Sequence, residues 1–148
     1  MKTKQDFPSI NERPPEGVRV DGTKVKVLVV DDSMFVAKQL GQILSSEGYE
    51  VVATAGDGKE GVDKYKELYP NVDVVTMDIT MPVMTGVESL KKIKGEFPEA
   101  KVIMVSAAGQ QHNMLEAVQS GAAEFIAKPF DADEIKRVIK NVLESLKY

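Results

Sequence analysis

Five polar side chains stand where short apolar runs of this chain end: Asp31 and Asp32 after residues 25–30, Asp78 after 72–77, Ser106 after 101–105, and Lys128 after 124–127. If the fold brings these ends together, their types define a chemistry. Three carboxylates in one crevice cannot all ionise unaided. Lys128 offers one positive charge, and a divalent cation offers the other two needed for neutrality. The ligands are hard oxygens with no histidine or thiolate nearby, which favours Mg²⁺ or Mn²⁺ over zinc. A carboxylate beside such an ion can attack a phosphorus centre as a nucleophile. The cation and the lysine would stabilise charge on the transferring group, and the serine hydroxyl could donate to a phosphoryl oxygen.

The elements that must position these groups follow from periodicity. Residues 25–30 read as a β-branched strand. Val36, Leu40, Ile43 and Leu44 then recur at helical spacing, with Glu47-Gly48 as a stop. Residues 51–55 read as a second strand. Asp57 and Glu60 are spaced as a capping box for a helix reaching Leu68, stopped by Pro70. The third strand is expected over 72–77. Thr85 and Glu88 form a second capping box, for a helix ending before Pro98. A strand over 101–105, a helix over 110–119 stopped by Gly121, and a short strand over 124–127 follow. Asp131 and Glu134 open a last helix with Ile135, Val138, Ile139, Val142 and Leu146 on one face. Five βα units predict a doubly wound α/β fold, a parallel sheet with helices on both faces. In such a sheet every strand's C-terminal end lies at one edge, where ligands bind. The second strand ends in Gly56-Asp57-Gly58 and brings no such group.

Composition narrows the function classes. The chain has 148 residues and a formal net charge of -4, which suits one domain and gives no electrostatic case for nucleic acid or an anionic membrane. There is no cysteine, which removes disulfides, thiolate metal sites and cysteine nucleophiles. No apolar run approaches the ~20 residues of a membrane span. Met1-Lys2-Thr3-Lys4 leads into polar residues and prolines, not into a signal-peptide core, so a cytoplasmic protein is expected. Residues 1–23, with Pro8, Pro14 and Pro15 and no sustained period, read as an extended or disordered arm ahead of a domain over 24–148.

With these residues in place the sequence closely resembles the receiver domains of two-component response regulators. The resemblance is carried by Val29-Val30-Asp31-Asp32-Ser33, Met77-Asp78-Ile79-Thr80-Met81-Pro82, Thr85-Gly86, Val105-Ser106-Ala107, Gly121-Ala122 and Lys128-Pro129-Phe130, and it spans residues 24–146. It implies the flavodoxin-like, CheY-like sheet order 2-1-3-4-5. It implies that Asp78 is the phosphoacceptor, that Asp32 binds Mg²⁺ directly, that Asp31 assists, and that the Thr80 backbone carbonyl completes the protein ligands. It makes Ser106 the switch hydroxyl, Phe125 the switch aromatic and Lys128 the phosphate contact, with a cis bond before Pro129. Phe125 stands where a tyrosine is common, so contacts made by that hydroxyl do not transfer. Thr80 and Ala108 stand where the family tunes the lifetime of the acyl phosphate.

The final helix is expected to end two residues from Tyr148. That leaves no output domain and resembles the CheY type from chemotaxis. This type implies a CheA-like histidine kinase as donor, a FliM-like motor switch protein bound through helix 4, strand 5 and helix 5, and a phosphatase for the phosphorylated form. Other readings stay open. An aspartyl-nucleophile Mg²⁺-dependent phosphatase usually needs a carboxylate two residues after the nucleophile, where Thr80 stands. A flavin or nucleotide carrier would want a Gly-, Ser- or Thr-rich first loop, where the two aspartates stand. A phosphorelay intermediate is poorly separated from the chemotaxis reading. Read singly, Asp31-Asp32 could cap a helix, Phe125 could be plain core, and His112 and the Lys91, Lys92 and Lys94 group read as solvated surface.

Overall fold

A computed structural model describes residues 17–107 and 109–144. Five strands alternate with five helices: β1 Lys26–Val30, α1 Met34–Ser46, β2 Glu50–Ala55, α2 Gly58–Leu68, β3 Val74–Asp78, α3 Gly86–Glu96, β4 Val102–Ser106, α4 Gln111–Gln119, β5 Glu124–Ala127 and α5 Ala132–Glu144. The strands form one sheet in the order β2-β1-β3-β4-β5, and each neighbouring pair is parallel. The predicted class and strand order therefore hold. Strand starts differ by one or two residues. Val72 is buried but precedes β3, and Asp73 beside it is tied to the start of β1, its N–H donating to the Lys26 carbonyl and its carboxylate accepting the Lys26 N–H, each at 2.8 Å.

Two cores follow from the alternation of side chains across the sheet. Leu28, Val30, Val75, Met77, Val102 and Met104 face one side. There they meet Val62 and Tyr65 of α2, Leu90 and Ile93 of α3, and Ala117 of α4. Val27, Val29, Val74, Ile103, Val105 and Ile126 face the other, against Leu40 and Leu44 of α1 and Ile135, Val138, Ile139 and Val142 of α5. Covered on both faces, β1, β3 and β4 are almost wholly apolar, as a parallel sheet requires. Leu146, placed by periodicity on the α5 stripe, lies outside the described residues.

The three capping pairs form with different completeness. Thr85 and Glu88 make both reciprocal bonds at the start of α3. Asp57 caps α2, but Glu60 reaches back to the N–H of Gly56. Asp131 accepts the Glu134 N–H at 2.8 Å. The lysines expected as free surface on α3 are partly used. Lys91 pairs with Glu116 of α4, and Lys94 donates to the Pro98 and Ala100 carbonyls beyond the helix end. His112 is exposed on α4.

Of the arm expected over 1–23, residues 1–16 lie outside the described residues. Residues 17–23 run against the domain. Gly17 donates to the Glu47 carbonyl at 2.8 Å, Val18 bridges Lys24 antiparallel, and Arg19 pairs with Asp73 at 2.7 Å. A side chain at position 17 would overlap the backbone of Tyr49, so this approach depends on glycine.

Candidate functional site

The sheet order reverses between β1 and β3, so the loops leaving these two strands part and open a crevice at their C-terminal ends. Asp31 and Asp32 leave β1 there, and Asp78 ends β3. A carboxylate oxygen from each of the three lies within 4.8 Å of the others. Asp31 and Asp78 are 4% and 5% exposed, whereas Asp32 faces solvent. β4 ends in buried Ser106 beside Asp78, and Lys128 follows β5, its backbone N–H donating to the Ser106 carbonyl at 2.7 Å. The Lys128-Pro129 peptide is cis.

Lys128 Nζ donates to Asp78 Oδ1 at 3.2 Å and stands 3.4 Å from Asp31 Oδ2. One ammonium therefore faces two buried carboxylates. Asp31 Oδ1 accepts the Ser33 N–H at 2.8 Å, but buried Oδ2 accepts no hydrogen bond among the described residues. A buried acceptor left open is costly unless something else meets it. The helix cap open to Asp31 or Asp32 in the sequence belongs to Ser33, which accepts the Val36 N–H at 3.2 Å. Capping thus leaves the aspartate pair unexplained.

The donor set fits a small hard cation. Oxygens on opposite sides of a Mg²⁺ ion lie about 4.2 Å apart, at roughly 2.1 Å each. Carboxylate oxygens gathered within 4.8 Å span that distance, and Asp31 Oδ2, which accepts no hydrogen bond and has the Lys128 charge 3.4 Å away, is an acceptor an ion would complete.

Asp78 is held back from ionising. Burial pushes its carboxyl up to about 6, and the Asp31 charge adds to the rise. Lys128 works in the opposite direction, through its charge and its hydrogen bond. A proton on Asp78 would remove its nucleophilicity, so further positive charge in the crevice favours the reactive form.

The backbone behind Asp78 is closely packed. A Cβ on Gly86 would overlap the Asp78 carbonyl, and the Gly86 N–H donates to the Ile79 carbonyl at 2.7 Å. Between these residues the loop passes through Val83, whose φ is 69°. Positive φ is rare and strained for a β-branched residue.

The sequence-predicted groups thus gather at one edge: Asp31, Asp32, Asp78, Ser106 and Lys128. Thr80 lies on the exposed rim. Phe125 on β5 is half-buried, packed against the core beneath α4. It lines a cleft of about 370 Å³ with Ser106, Met114 and Lys128. Ala108 lies outside the described residues. Two residues at the site carried no sequence signal. Gln110 donates from Nε2 to Thr80 Oγ1 and accepts the Ala107 N–H at 2.7 Å on Oε1. Met114 accepts a weak hydrogen bond from Ser106 Oγ at 3.9 Å. Neither residue type has a fixed role at such a spacing, and only the folded β4–α4 loop aims them.

Residues 27–140 match the family model described as the response regulator receiver domain. The chain is 52% identical over 144 residues to the chemotaxis protein CheY of Treponema pallidum (strain Nichols), covering 97% of this chain and 100% of that protein. It is 48% identical over 118 residues to the chemotaxis protein CheY of Bacillus subtilis (strain 168), covering 80% of this chain and 97% of that protein. Among solved structures, a chain of the CheX-CheY-BeF3-Mg complex from Borrelia burgdorferi superposes with a TM-score of 0.85 at 44% identity. That match covers 88% of this chain and 98% of the other. Among the described residues no helix is long and apolar enough to cross a membrane.

Proposed function

The chain belongs to the response regulator receiver domain family, as a CheY-like chemotaxis receiver, and on that premise we propose that it is a phosphorylation switch with Asp78 as phosphoacceptor. A CheA-like histidine kinase would be the donor and a FliM-like motor switch protein the target. One observation carries the reading: carboxylate oxygens of Asp31, Asp32 and Asp78 gather within 4.8 Å of one another, and a single ammonium, that of Lys128, lies against two of the three. The receiver unit is taken as residues 24–148, with 1–23 as an arm before it.

Asp31, Asp32, Asp78 and the Thr80 backbone carbonyl would hold Mg²⁺. The bound ion supplies charge neutralisation on the phosphoryl oxygens and favours ionised Asp78. An Asp78 carboxylate oxygen forms a bond to phosphorus as the bond from phosphorus to the kinase's phosphohistidine nitrogen breaks. Lys128 then shifts its ammonium from carboxylate to phosphoryl oxygen. The chain's own chemistry extends to accepting and losing this group, which makes it a switch rather than an enzyme acting on other substrates.

The new group adds negative charge and acceptor oxygens at the end of β3. Ser106 turns toward them, vacating space in the cleft, and Phe125 rotates in to fill it. Shifting a two-state equilibrium from 1:99 to 99:1 takes about 5.5 kcal/mol. One neutral hydrogen bond supplies only ~1 kcal/mol net. Ser106 therefore shares the work with Lys128, the ion and repacking around Phe125. The surface formed by α4, β5 and α5 changes as a result, and it is the surface assigned here to the motor switch. The Borrelia complex pairs a CheY with CheX, so a CheX-like protein is a further proposed partner, beside the phosphatase that the CheY resemblance implies.

Pull-down with a motor-switch peptide, with and without Mg²⁺ and beryllofluoride, tests the assignment. Binding that tightens with beryllofluoride supports it. No binding in either state would point to a relay intermediate instead.

A further inference from the structure

The hydroxyl of Ser106 and the N–H of Ala107 are adjacent polar hydrogens at the end of β4. Both are occupied by side chains from the start of α4. Ser106 Oγ donates to Met114 Sδ at 3.9 Å, and the Ala107 N–H donates to Gln110 Oε1 at 2.7 Å. Gln110 and Met114 stand four residues apart, one helical turn, so both acceptors face the same loop. Gln110 is the N-cap residue of α4, yet its side chain makes no capping bond. It points back across the mouth of the site instead, where Thr80 Oγ1 accepts from its Nε2. The Ala107 N–H can only donate, so it takes the amide oxygen and leaves the amide nitrogen for Thr80.

We propose that Gln110 and Met114 are positioning residues that form a latch, holding Ser106 and Ala107 in the resting arrangement until phosphoryl oxygens compete for the same two hydrogens. The inference rests on Asp78 as the phosphoacceptor. The latch opposes phosphorylation, since binding at Asp78 must first free the hydroxyl and the N–H. It also ties α4 to the site directly. When the two hydrogens leave Gln110 and Met114, the helix start loses both of these tethers to β4. That route from the site to α4 is separate from the rotation of Phe125. Where only a fraction of molecules is competent, apparent affinity falls by that fraction. Removing the latch therefore tightens the binding of anything that needs the released loop.

The probe is beryllofluoride in the presence of Mg²⁺, measured by titration calorimetry on the full chain. Gln110→Ala removes the acceptor and should tighten apparent binding about fivefold, the worth of one ordinary hydrogen bond. Gln110→Glu keeps an acceptor for the Ala107 N–H and should not tighten. Met114→Leu keeps the shape but removes the sulfur, and should tighten by about twofold, as befits a weaker bond. A merely structural role at the start of α4 would instead lower the melting temperature and weaken binding in both Gln110 variants. Binding by Gln110→Ala and Met114→Leu that equals or falls below wild type, with unchanged melting temperatures, overturns the latch. If wild type needs Asp78 to bind beryllofluoride, such a result leaves the site assignment standing. A wild type that takes up no beryllofluoride, or an Asp78→Asn protein that takes it up equally, overturns both.

Discussion

Lys128 Nζ donates to Asp78 Oδ1 at 3.2 Å across 50 residues of sequence. The same ammonium stands 3.4 Å from Asp31 Oδ2, so it occupies the place between carboxylates that a metal ion would share. On the proposed assignment it would compete with the ion in the resting protein and contact the phosphoryl group in the phosphorylated one.

Lys128→Met should bind Mg²⁺ at least as tightly as wild type, because the carboxylates lose a competing cation. It should fail to tighten on a motor-switch peptide when beryllofluoride is added. Mg²⁺ titration by calorimetry checks the first part and peptide binding the second. A tenfold loss of Mg²⁺ affinity would show that Lys128 orders the carboxylates rather than competing for them.

The raised Asp78 carboxyl makes a prediction about stability without metal. Its folded value is about 6 and its ordinary value 3.8. A carboxyl raised on folding contributes stability in full below its unfolded value, and loses that contribution as pH climbs through its folded value. In chelator, Asp78→Asn should thus melt higher than wild type at pH 7.5, by roughly 3–6 °C. The gap should close on descending from pH 6 to below 4. Addition of Mg²⁺ at pH 7.5 should raise the melting temperature of wild type more than that of the variant. A gap independent of pH would mean that the charge of Asp78 is not the cause.

Two glycines on α3 should respond with opposite sign. A Cβ at Gly86 would overlap the Asp78 carbonyl, backbone that cannot yield without moving Asp78. Gly86→Ala should cost about 1–3 kcal/mol or more and weaken Mg²⁺ binding. A Cβ at exposed Gly95 meets nothing within 4 Å, so Gly95→Ala should gain up to about 1 kcal/mol from helix propensity, with Mg²⁺ affinity unchanged. Thermal melts and Mg²⁺ titration of the two variants decide it.

Val83 holds φ of 69° while 79% exposed, so its side chain buries little in return for the strain. Val83→Asn should raise stability by about 1 kcal/mol, because asparagine tolerates the left-handed region. A denaturant melt that moves to lower midpoint would show that the valine makes contacts outweighing the strain.

The parts of this site legible in the sequence are those imposed by parallel-strand geometry. An Asp, Ser or Lys at the end of an apolar run must project at the sheet's C-terminal edge, so Asp31, Asp78, Ser106 and Lys128 could be placed together before any coordinates. Thr85 and Glu88 were legible for a similar reason, since a capping box depends on residue type at fixed offsets. Gln110 and Met114 were not. Their partners, Thr80, Ala107 and Ser106, are met through loop conformation, and Gln or Met on a helix carries no rule about where it points. The docking of Gly17 to Lys24 was hidden likewise, because prolines and a short antiparallel bridge leave no periodic signal. The direction of Val83 was also invisible, because nothing in the residue type announces positive φ.

The central claim is that Asp78 accepts the phosphoryl group in a crevice charged with Mg²⁺ by Asp31 and Asp32. The direct measurement is incorporation of phosphate from a small-molecule phosphodonor, followed by intact-mass spectrometry under mild conditions. Wild type with Mg²⁺ should gain one phosphoryl group per chain, labile to alkali as an acyl phosphate is. Chelator, Asp78→Asn, or the joint change of Asp31 and Asp32 to Asn should each reduce that gain to background. An Asp78→Asn protein that still gained one group per chain at the wild-type rate would contradict the account.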